Sequence, residues 1–310
     1  MQKVVVYTLT SNIYMNVLPS LKSLLKNGNV DRVYLVTELA EPDVGFDLPA
    51  KVITMPVSKH GYFFEDGPNF NCKWTYMTLM KTALPYLFPK HKKIMTLDVD
   101  TIVLGDLSPL WDIDLDGYYL AGAMEPYWTM RTRNLYVNMG VVMWNLEQLR
   151  DGKVNEIIRS LNADKWELAE QACVNSLCRG KILQIGPEWN SGDWTKNLPE
   201  DEIKIRHFMA YGQKKFQEQE IVKKYKAMTW DEVFGKEEDN VGMVVIDRFL
   251  PKPDVLKGKT VKQELVRCRD CVYYQDNNEG YPHIGCKWRE DETPDPDDYC
   301  SGGERMEVIT

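Results

Sequence analysis

The chain has 310 residues, of which 44% are hydrophobic and 27% charged, and a formal net charge of −8 at pH 7. This length and composition can bury the core of one large globular domain with a small additional module. The negative net charge argues against nucleic-acid binding as the main function. We identify neither a secretory signal nor a membrane-spanning apolar run, which needs about 18 residues. We therefore expect a cytoplasmic protein.

Strands and helices alternate along the first hundred residues. The β-branched run Val4–Leu9 predicts a strand, and apolar residues with helical spacing over 16–26 predict a helix with Gly28 as its C-terminal cap. The next predicted elements, in chain order, are strands at 33–37 and 52–55 and a helix over 74–84 that Pro85 ends. Such alternation is typical of a largely parallel sheet with helices on both faces.

Two carboxylates, Asp98 and Asp100, follow the apolar run 94–97, which predicts a short buried strand. Because side chains alternate along a strand, both carboxylates are expected on the same side, near the strand's C-terminal end. Open α/β sheets bind ligands at this edge, and two carboxylates form half of a site for Mg²⁺ or Mn²⁺. The alternative is that the two aspartates serve only as turn or capping residues.

The aspartate pair is one of several sequence blocks that occur in the order of a known family. The blocks are Tyr7-Thr8-Leu9-Thr10-Ser11-Asn12, Leu97-Asp98-Val99-Asp100-Thr101, Asn138-Met139-Gly140-Val141, Glu170-Gln171 and His207-Phe208-Met209-Ala210-Tyr211-Gly212. With these blocks, residues 1–216 resemble the retaining glycosyltransferases of family 8, which include glycogenin-like and lipopolysaccharide galactosyltransferase-like enzymes. The resemblance implies a GT-A fold, a Rossmann-like mixed α/β sheet with helices on both faces. It also implies transfer of glucose or galactose from a UDP-sugar, with retention, to an unidentified saccharide, lipid or protein acceptor.

The resemblance implies that Asp98, Asp100 and His207 are metal ligands. A divalent cation that bridges the donor's two phosphates would stabilise the charge that develops on the leaving UDP. A mixed oxygen and nitrogen set suits Mn²⁺ better than Mg²⁺, because imidazole is the softer donor. Without the other blocks, His207, one of four histidines, would be read as satisfying a local hydrogen bond.

The resemblance also implies donor contacts. Lys81 stands where the family has an arginine or lysine that contacts the donor, and the alternative is a solvated lysine on an amphipathic helix. Gly212 would let backbone approach a phosphate, and we choose Lys214 over Lys215 as the diphosphate contact, although the family's Lys-Pro-Trp is absent here. The remaining predicted donor contacts are Leu9, Thr10, Ser11, Asn12, Tyr14 and Val99. Tyr14 could instead pack under the first helix.

The sugar-binding and reacting residues implied by the resemblance are Glu170, Gln171, Asn138 and Glu125. This chain departs from the family at two of them, because Glu125 and Glu170 stand where the family usually has aspartate. The extra methylene moves a carboxylate by about 1.5 Å, which is the scale at which catalytic positioning is affected. The exchanges indicate either a changed donor preference or a pocket that has lost activity. Both glutamates could otherwise be surface charges.

The C-terminal segment contains Cys268, Cys271, Cys286 and Cys300, with two residues between the first pair and 14 and 13 residues in the later gaps. One Cys-x₂-Cys pair and two further thiols predict a structural Zn²⁺ site, which would stabilise a segment with little core of its own. Two disulfides are the alternative. We therefore predict a glycosyltransferase domain over 1–235, a linker over 236–265 and a Cys₄ module over 266–310.

The sequence is compatible with three candidate functions. The first is an active metal-dependent hexosyltransferase, and the second is a catalytically weak binding module with the same fold. The third is a phosphatase of the haloacid-dehalogenase type, which also has an Asp-x-Asp motif after a buried strand. Those phosphatases carry threonine or valine where this chain has Ile102, and their motif lies on the first strand. The set of Asp98, Asp100 and His207 favours the transferase, because a binding module needs no metal.

Overall fold

The structure is a computed structural model. It describes residues 2–10, 16–38, 48–57, 61–72, 74–195, 197–209 and 211–235, and the backbone of three short strands at 244–245, 266–267 and 299–300. The strands are β1 Val4–Leu9, β2 Arg32–Thr37, β3 Val52–Pro56, β4 Lys93–Leu97, β5 Thr101–Val103, β6 Leu120–Met124, β7 Val137–Asn145, β8 Ile182–Ile185, β9 Ile205–His207, β10 Val244–Val245, β11 Val266–Arg267 and β12 Tyr299–Cys300. The α-helices are α1 Leu18–Asn27, α2 Leu84–Leu87, α3 Ser108–Trp111, α4 Pro126–Thr132, α5 Leu146–Leu149, α6 Lys153–Ala163, α7 Ala169–Leu177, α8 Gly212–Gln217, α9 Glu220–Ala227 and α10 Trp230–Phe234. The 3₁₀ helices are Tyr76–Ala83, Pro187–Trp189 and Asp193–Thr195.

Eight strands form one mixed sheet in the order β10-β3-β2-β1-β4-β7-β6-β8. Strands β1 to β4 are parallel, whereas β7 runs antiparallel to both of its neighbours, β4 and β6. A separate antiparallel pair, β5 and β9, forms next to the end of β4. The predicted mixed α/β sheet is therefore confirmed.

The central strands are buried on both faces, and the sequence of β1 shows why they form. Val4 and Val6 pack into one hydrophobic cluster, whereas Val5, Tyr7 and Leu9 pack into a second. The first cluster contains residues of α6 and α7, and the second contains residues of α1 and α3. A strand covered by helices on both sides has no polar face, which explains the nearly continuous apolar run of β1.

Helix α1 agrees with its prediction. It begins at Leu18 with Pro19 in the first turn, where a missing N–H costs no hydrogen bond. It ends at Asn27, and the N–H of Gly28 donates to the carbonyl of Leu24 over 2.7 Å. The helix packs Leu21, Leu24 and Leu25 into the second cluster, which also contains residues of β1.

The predicted helix over 74–84 is wrong in its type and its end. Residues Tyr76–Ala83 form a 3₁₀ helix, and α2 follows it directly at Leu84. Pro85 lies in the first turn of α2 rather than ending a helix. A proline in the first turn lacks an N–H that would have no helical acceptor, so the chain tolerates it there.

The C-terminal predictions fall largely outside the described residues. Within the predicted linker, Val244–Val245 pairs in parallel with β3 and extends the sheet. The side chains of the four predicted zinc ligands, Cys268, Cys271, Cys286 and Cys300, lie outside the described part of the chain. The Cys₄ module therefore stays a prediction. Among the described residues, the helices are too short or too polar to cross a membrane.

Candidate active site

The aspartate pair lies in a turn and not on a strand, so that part of the prediction is wrong. Strand β4 ends at Leu97, and the N–H of Asp98 donates to the carbonyl of Gly140 on β7 over 2.8 Å. The N–H and hydroxyl of Thr101 then both donate to the carbonyl of Asp98, over 3.2 and 2.8 Å. This local bonding replaces the sheet ladder and turns the chain into β5. The turn still directs Asp98 and Asp100 to one site.

His207 reaches the same site from far along the sequence. Strand β9 pairs with β5 so that His207 lies opposite Thr101, directly after the aspartate turn. The Nε2 atom of His207 lies 3.3 Å from Oδ1 of Asp100 and 3.9 Å from Oδ2 of Asp98. One ligand atom from each of the three residues fits within 4.8 Å. Carboxylate oxygens and an imidazole nitrogen at this spacing can hold a divalent cation.

Two residues that the sequence analysis did not assign a role hold the imidazole of His207. A Cβ on Gly140 would overlap the Cε1 and both nitrogen atoms of the ring, so the ring lies directly against this glycine. The Nδ1 atom of His207 lies 2.9 Å from Oδ1 of Asn190, a fully buried amide. Gly140 belongs to a sequence block quoted above, but no local pattern marks Asn190.

The buried imidazole and the aspartates stabilise each other's charges. Burial disfavours the imidazolium, but the adjacent Asp100 and Asp98 outweigh it and raise the pKa of His207 above its ordinary value. Burial likewise disfavours the Asp100 carboxylate, yet His207 outweighs it and lowers the pKa of Asp100. A cation bound here therefore competes with a proton on Nε2.

Lys81 is a buried counter-ion, and its alternative role as a solvated surface lysine is wrong. From the 3₁₀ helix Tyr76–Ala83, its Nζ donates to Oδ1 of Asp98 over 2.5 Å and to the carbonyl of Met139 over 3.2 Å. The same atom lies 3.9 Å from Oε1 of Glu170. Burial disfavours the ammonium, but Asp98 and Glu170 more than compensate and raise the pKa of Lys81. Lys81 thus links the aspartate turn to Glu170.

Glu125, Asn138 and Gln171 form a second polar group beside the aspartates. Oε2 of Glu125 accepts hydrogen bonds from Nε2 of Gln171 over 3.1 Å and from Nδ2 of Asn138 over 3.4 Å. Burial raises the pKa of Glu125, although these two amides oppose the shift. Burial also raises the pKa of Glu170, against the opposing effect of Lys81. Both glutamates are buried, so they are not surface charges.

Backbone strain occurs immediately before Glu170. Ala169, the first residue of α7, has a φ of 45°, in the left-handed region. For a residue with a Cβ atom, this conformation costs about 1–2 kcal/mol. Such strain concentrates at functional sites, where the surrounding structure enforces it. Here it accompanies the placement of the Glu170 carboxylate in the buried interior.

The other predicted donor contacts lie in several parts of the chain. Leu9 and Thr10 are buried at the C-terminal end of β1, and Val99 packs against the second hydrophobic cluster. Gly212, with a φ of 68°, and Lys214 are exposed on α8. Three predicted uridine contacts lie outside the described residues, namely Ser11, Asn12 and Tyr14. These donor contacts remain predictions.

A cavity of about 340 Å³ opens beside the site. Met124 and Pro126, the neighbours of Glu125 in the chain, line one part of it, and Trp194 lines another. The ring of Trp194 meets the ring of His207 edge-on, with centroids 6.4 Å apart. Trp194 therefore contacts both the cavity and a residue of the metal-site candidate.

Comparison with known proteins agrees with this geometry. A family model described as glycosyl transferase family 8 matches residues 4–216. A putative glycosyltransferase of Haemophilus influenzae is 25% identical over 158 residues, which is 45% of this chain and 46% of that protein. The chain thus spans about half the length of this relative.

Two solved structures show the fold. The glycosyltransferase GlyE of Streptococcus pneumoniae matches with a TM-score of 0.58 and 18% identity, over 76% of this chain and 62% of GlyE. The galactosyltransferase LgtC, solved with donor and acceptor sugar analogues, matches with a TM-score of 0.56 and 16% identity, over 76% of this chain and 100% of LgtC. At these identities the likeness concerns the fold alone, and it confirms the predicted GT-A architecture.

Proposed function

Since the chain belongs to glycosyl transferase family 8, we propose that it transfers a hexose, glucose or galactose, from a UDP-sugar to an acceptor with retention. The observation that carries this proposal is the convergence of Asp98, Asp100 and His207 within 4.8 Å. Next to them lie Glu125 and Glu170, two buried carboxylates with hydrogen-bonding or ionic partners. A cation site beside buried polar side chains suits a donor that joins a diphosphate to a sugar.

The residues present fit a divalent cation, with Mn²⁺ preferred over Mg²⁺. Asp98 and Asp100 offer oxygen atoms, and His207 offers Nε2 on the side facing them. When bound, the cation would supply Lewis-acid stabilisation of the negative charge on the departing diphosphate. The nitrogen ligand is the reason for preferring Mn²⁺.

Lys81 has a positioning role in this proposal, in addition to the donor contact that the family resemblance implies. Its ammonium holds Oδ1 of Asp98 and balances the charge of Glu170. Burial raises the pKa of Glu170 and Lys81 opposes this shift. Lys81 therefore favours the ionised form, in which the carboxylate could face the positive charge that develops at the anomeric carbon. A covalent double displacement would require an ionised carboxylate as the nucleophile, whereas a front-face attack would not, and the proposal does not decide between them.

Glu125, Asn138 and Gln171 would hold the hydroxyl groups of the donor sugar. Glu125 accepts and the two amides donate, so the group offers both kinds of hydrogen-bonding partner. For the rest of the donor we propose Gly212 and Lys214 at the diphosphate. Leu9, Thr10, Ser11, Asn12, Tyr14 and Val99 would surround the uridine.

We propose that the acceptor occupies the cavity beside Trp194. Its volume of about 340 Å³ lies in the range of small-molecule sites. The apolar faces of a sugar ring can pack on the indole ring of Trp194. The Trp194→Ala variant should weaken binding of an acceptor found by screening saccharides, while UDP binding stays unchanged.

The test of the function is UDP release from UDP-glucose, UDP-galactose and their N-acetyl forms, with Mn²⁺ or with EDTA. Release from one of the hexose donors, abolished by EDTA, is the expected result. Release that is unaffected by EDTA would contradict the metal site. Binding of UDP and Mn²⁺ without release from any donor, across a saccharide acceptor screen, would favour the alternative of a binding module. The phosphatase alternative lacks support, because the aspartate pair follows the fourth strand and the chain belongs to a transferase family.

We propose further that residues 266–310 form a zinc module after the linker at 236–265, separate from the transferase domain at 1–235. The Cys268→Ser variant should then lower the zinc content of the full chain, measured by mass spectrometry, without changing UDP release. Unchanged zinc content would contradict the module.

A cytoplasmic location likewise stays a prediction.

A further inference from the structure

A chain of buried amides connects His207 to the predicted sugar pocket. Asn190 follows the 3₁₀ helix Pro187–Trp189, and the adjoining Ser191 pairs with β9 through two backbone hydrogen bonds, which brings Asn190 beside His207. Nδ2 of Asn190 donates to Oδ1 of Asn138 over 3.0 Å, and Oδ1 of Asn190 lies 2.9 Å from Nδ1 of His207. Asn138, Asn190 and His207 are at most 4% exposed.

The direction of these hydrogen bonds is fixed by one backbone group. The N–H of Gly140 donates to Oδ1 of Asn138 over 2.8 Å, and a backbone N–H has no other role than donor. Oδ1 of Asn138 is thereby identified as an acceptor, and Asn190 must direct its own NH₂ group toward it. The oxygen of Asn190 is left facing Nδ1 of His207. The amide orientations therefore follow from the backbone rather than from an arbitrary choice.

This direction determines which nitrogen of His207 carries the proton. An amide oxygen can only accept, so Nδ1 is the protonated nitrogen and Nε2 keeps its lone pair in the neutral ring. Nε2 is the atom that faces Asp98 and Asp100. We propose that Asn190 is a positioning residue that holds His207 in the tautomer able to bind a cation through Nε2. This inference rests on the cation site of the proposed function.

The same chain limits what Asn138 can offer to a sugar. Its oxygen accepts from both Gly140 and Asn190, so its NH₂ group, which faces Glu125 and Sδ of Met209, is the part directed toward the pocket. The oxygen of Asn138 is therefore already occupied, and a sugar could engage this residue only through its NH₂ group. The cation site and the sugar pocket share one hydrogen-bonded chain, whose orientation is set by Gly140.

The experiment measures Mn²⁺ binding to the full chain by calorimetry, without any donor. Asn190→Leu removes the acceptor for Nδ1 and should weaken Mn²⁺ binding by about 10- to 100-fold, the usual effect of losing such a partner. Asn190→Asp keeps an acceptor for Nδ1 but places a second acceptor against Oδ1 of Asn138, so its Mn²⁺ affinity should fall less than that of Asn190→Leu. His207→Gln removes one of the proposed ligands, so the binding heat that it loses relative to the wild type is the heat of Mn²⁺ binding at this site.

Asn175→Leu is the matched control for a structural effect. Asn175 is also buried and hydrogen bonds to the backbone of β7 at Val137, next to Asn138, but it does not contact His207. Its loss should reduce stability and leave Mn²⁺ affinity unchanged. Equal Mn²⁺ affinity of Asn190→Leu and the wild type would overturn the inference. Equal weakening in Asn190→Leu and Asn190→Asp would also overturn it, because Asn190 would then act only through packing.

A second measurement separates failure of this inference from failure of the proposed function. The ¹⁵N shifts of the His207 ring, recorded without metal at a pH where the ring is neutral, report its tautomer. The wild type should show a protonated Nδ1, and Asn190→Leu should lose this preference. The reverse tautomer in the wild type would overturn the inference. A wild type that has this tautomer but binds no Mn²⁺ would contradict the metal site of the proposed function instead.

Discussion

Two pairs of carboxylates lie close together at one edge of the sheet, and their surroundings differ. The side chains of Asp98 and Asp100 are 33% and 26% exposed, whereas that of Glu170 is 8% exposed. The aspartates lie in a turn, and both face Nε2 of His207, an atom that can bind either a proton or a cation. Glu125 and Glu170 are buried and are compensated by side-chain amides and by Lys81.

The difference shows how one functional group, the carboxylate, can serve two purposes. The aspartates keep access to solvent and to a small ion, so they suit a cation that arrives with the donor. The glutamates already have partners of opposite charge or polarity, so they suit hydrogen bonding and charge stabilisation in a dry pocket. The following predictions test this division, from the largest expected effect to the smallest.

Asp100→Asn removes a charged ligand from the aspartate turn. It should reduce UDP release by about 100- to 1,000-fold, which corresponds to about 2.7–4.1 kcal/mol of barrier. The fold should persist, because asparagine has the same size. Steady-state kinetics with Mn²⁺ checks this, with Asp106→Asn as the control at an exposed aspartate. Full metal-dependent activity in Asp100→Asn would contradict the assignment of the aspartates.

Lys81→Met removes the counter-ion between the two carboxylate pairs. It leaves Glu170 buried without its ionic partner, and loss of one member of a buried pair costs about 3 kcal/mol of unfolding free energy. Urea unfolding measures this loss. The Lys81→Met/Glu170→Leu double variant should recover part of the lost stability. If the double variant were no more stable than Lys81→Met, the proposed pairing would be wrong.

Gly140→Ala places a methyl group where the His207 ring lies. The ring must move away from the aspartates, so Mn²⁺ affinity should fall by about 10-fold or more, whereas the sheet remains intact. Gly122→Ala in β6 is the control, since its methyl group would approach Val137 instead. Calorimetry should show weaker Mn²⁺ binding only for Gly140→Ala, and equal affinities for both variants would contradict the account.

The smallest effect expected is the pH dependence of stability in EDTA. The folded pKa of His207 is raised above its ordinary value of 6.5, so its contribution is fully present below 6.5 and is lost as pH rises through the folded pKa. The unfolding free energy should decrease over this range, and His207→Gln should remove the decrease. Asp100, with its lowered pKa, contributes stability that is fully present above 3.8 and is lost as pH falls through its folded pKa, so the two ranges are separate. An increase in stability over the His207 range would contradict the ion pair.

The sequence predicted the first four strands because each is a largely apolar run, as in β1 and β4. It placed Asp98 and Asp100 on a strand, because an alternating pattern cannot show where hydrogen bonding to a neighbouring strand ends. It also missed Asn190, whose partners Asn138 and His207 lie 52 and 17 residues away. Lys81 was found through the family resemblance, but its partners Asp98 and Glu170 became evident only when the fold brought them together.

The most direct test of the central claim is calorimetric titration of UDP into the full chain, with Mn²⁺ or with EDTA. If Asp98, Asp100 and His207 hold the cation that receives the diphosphate, UDP should bind in Mn²⁺. This binding should be lost or strongly weakened in EDTA and in Asp100→Asn. UDP affinity that is the same in all three conditions would contradict the account.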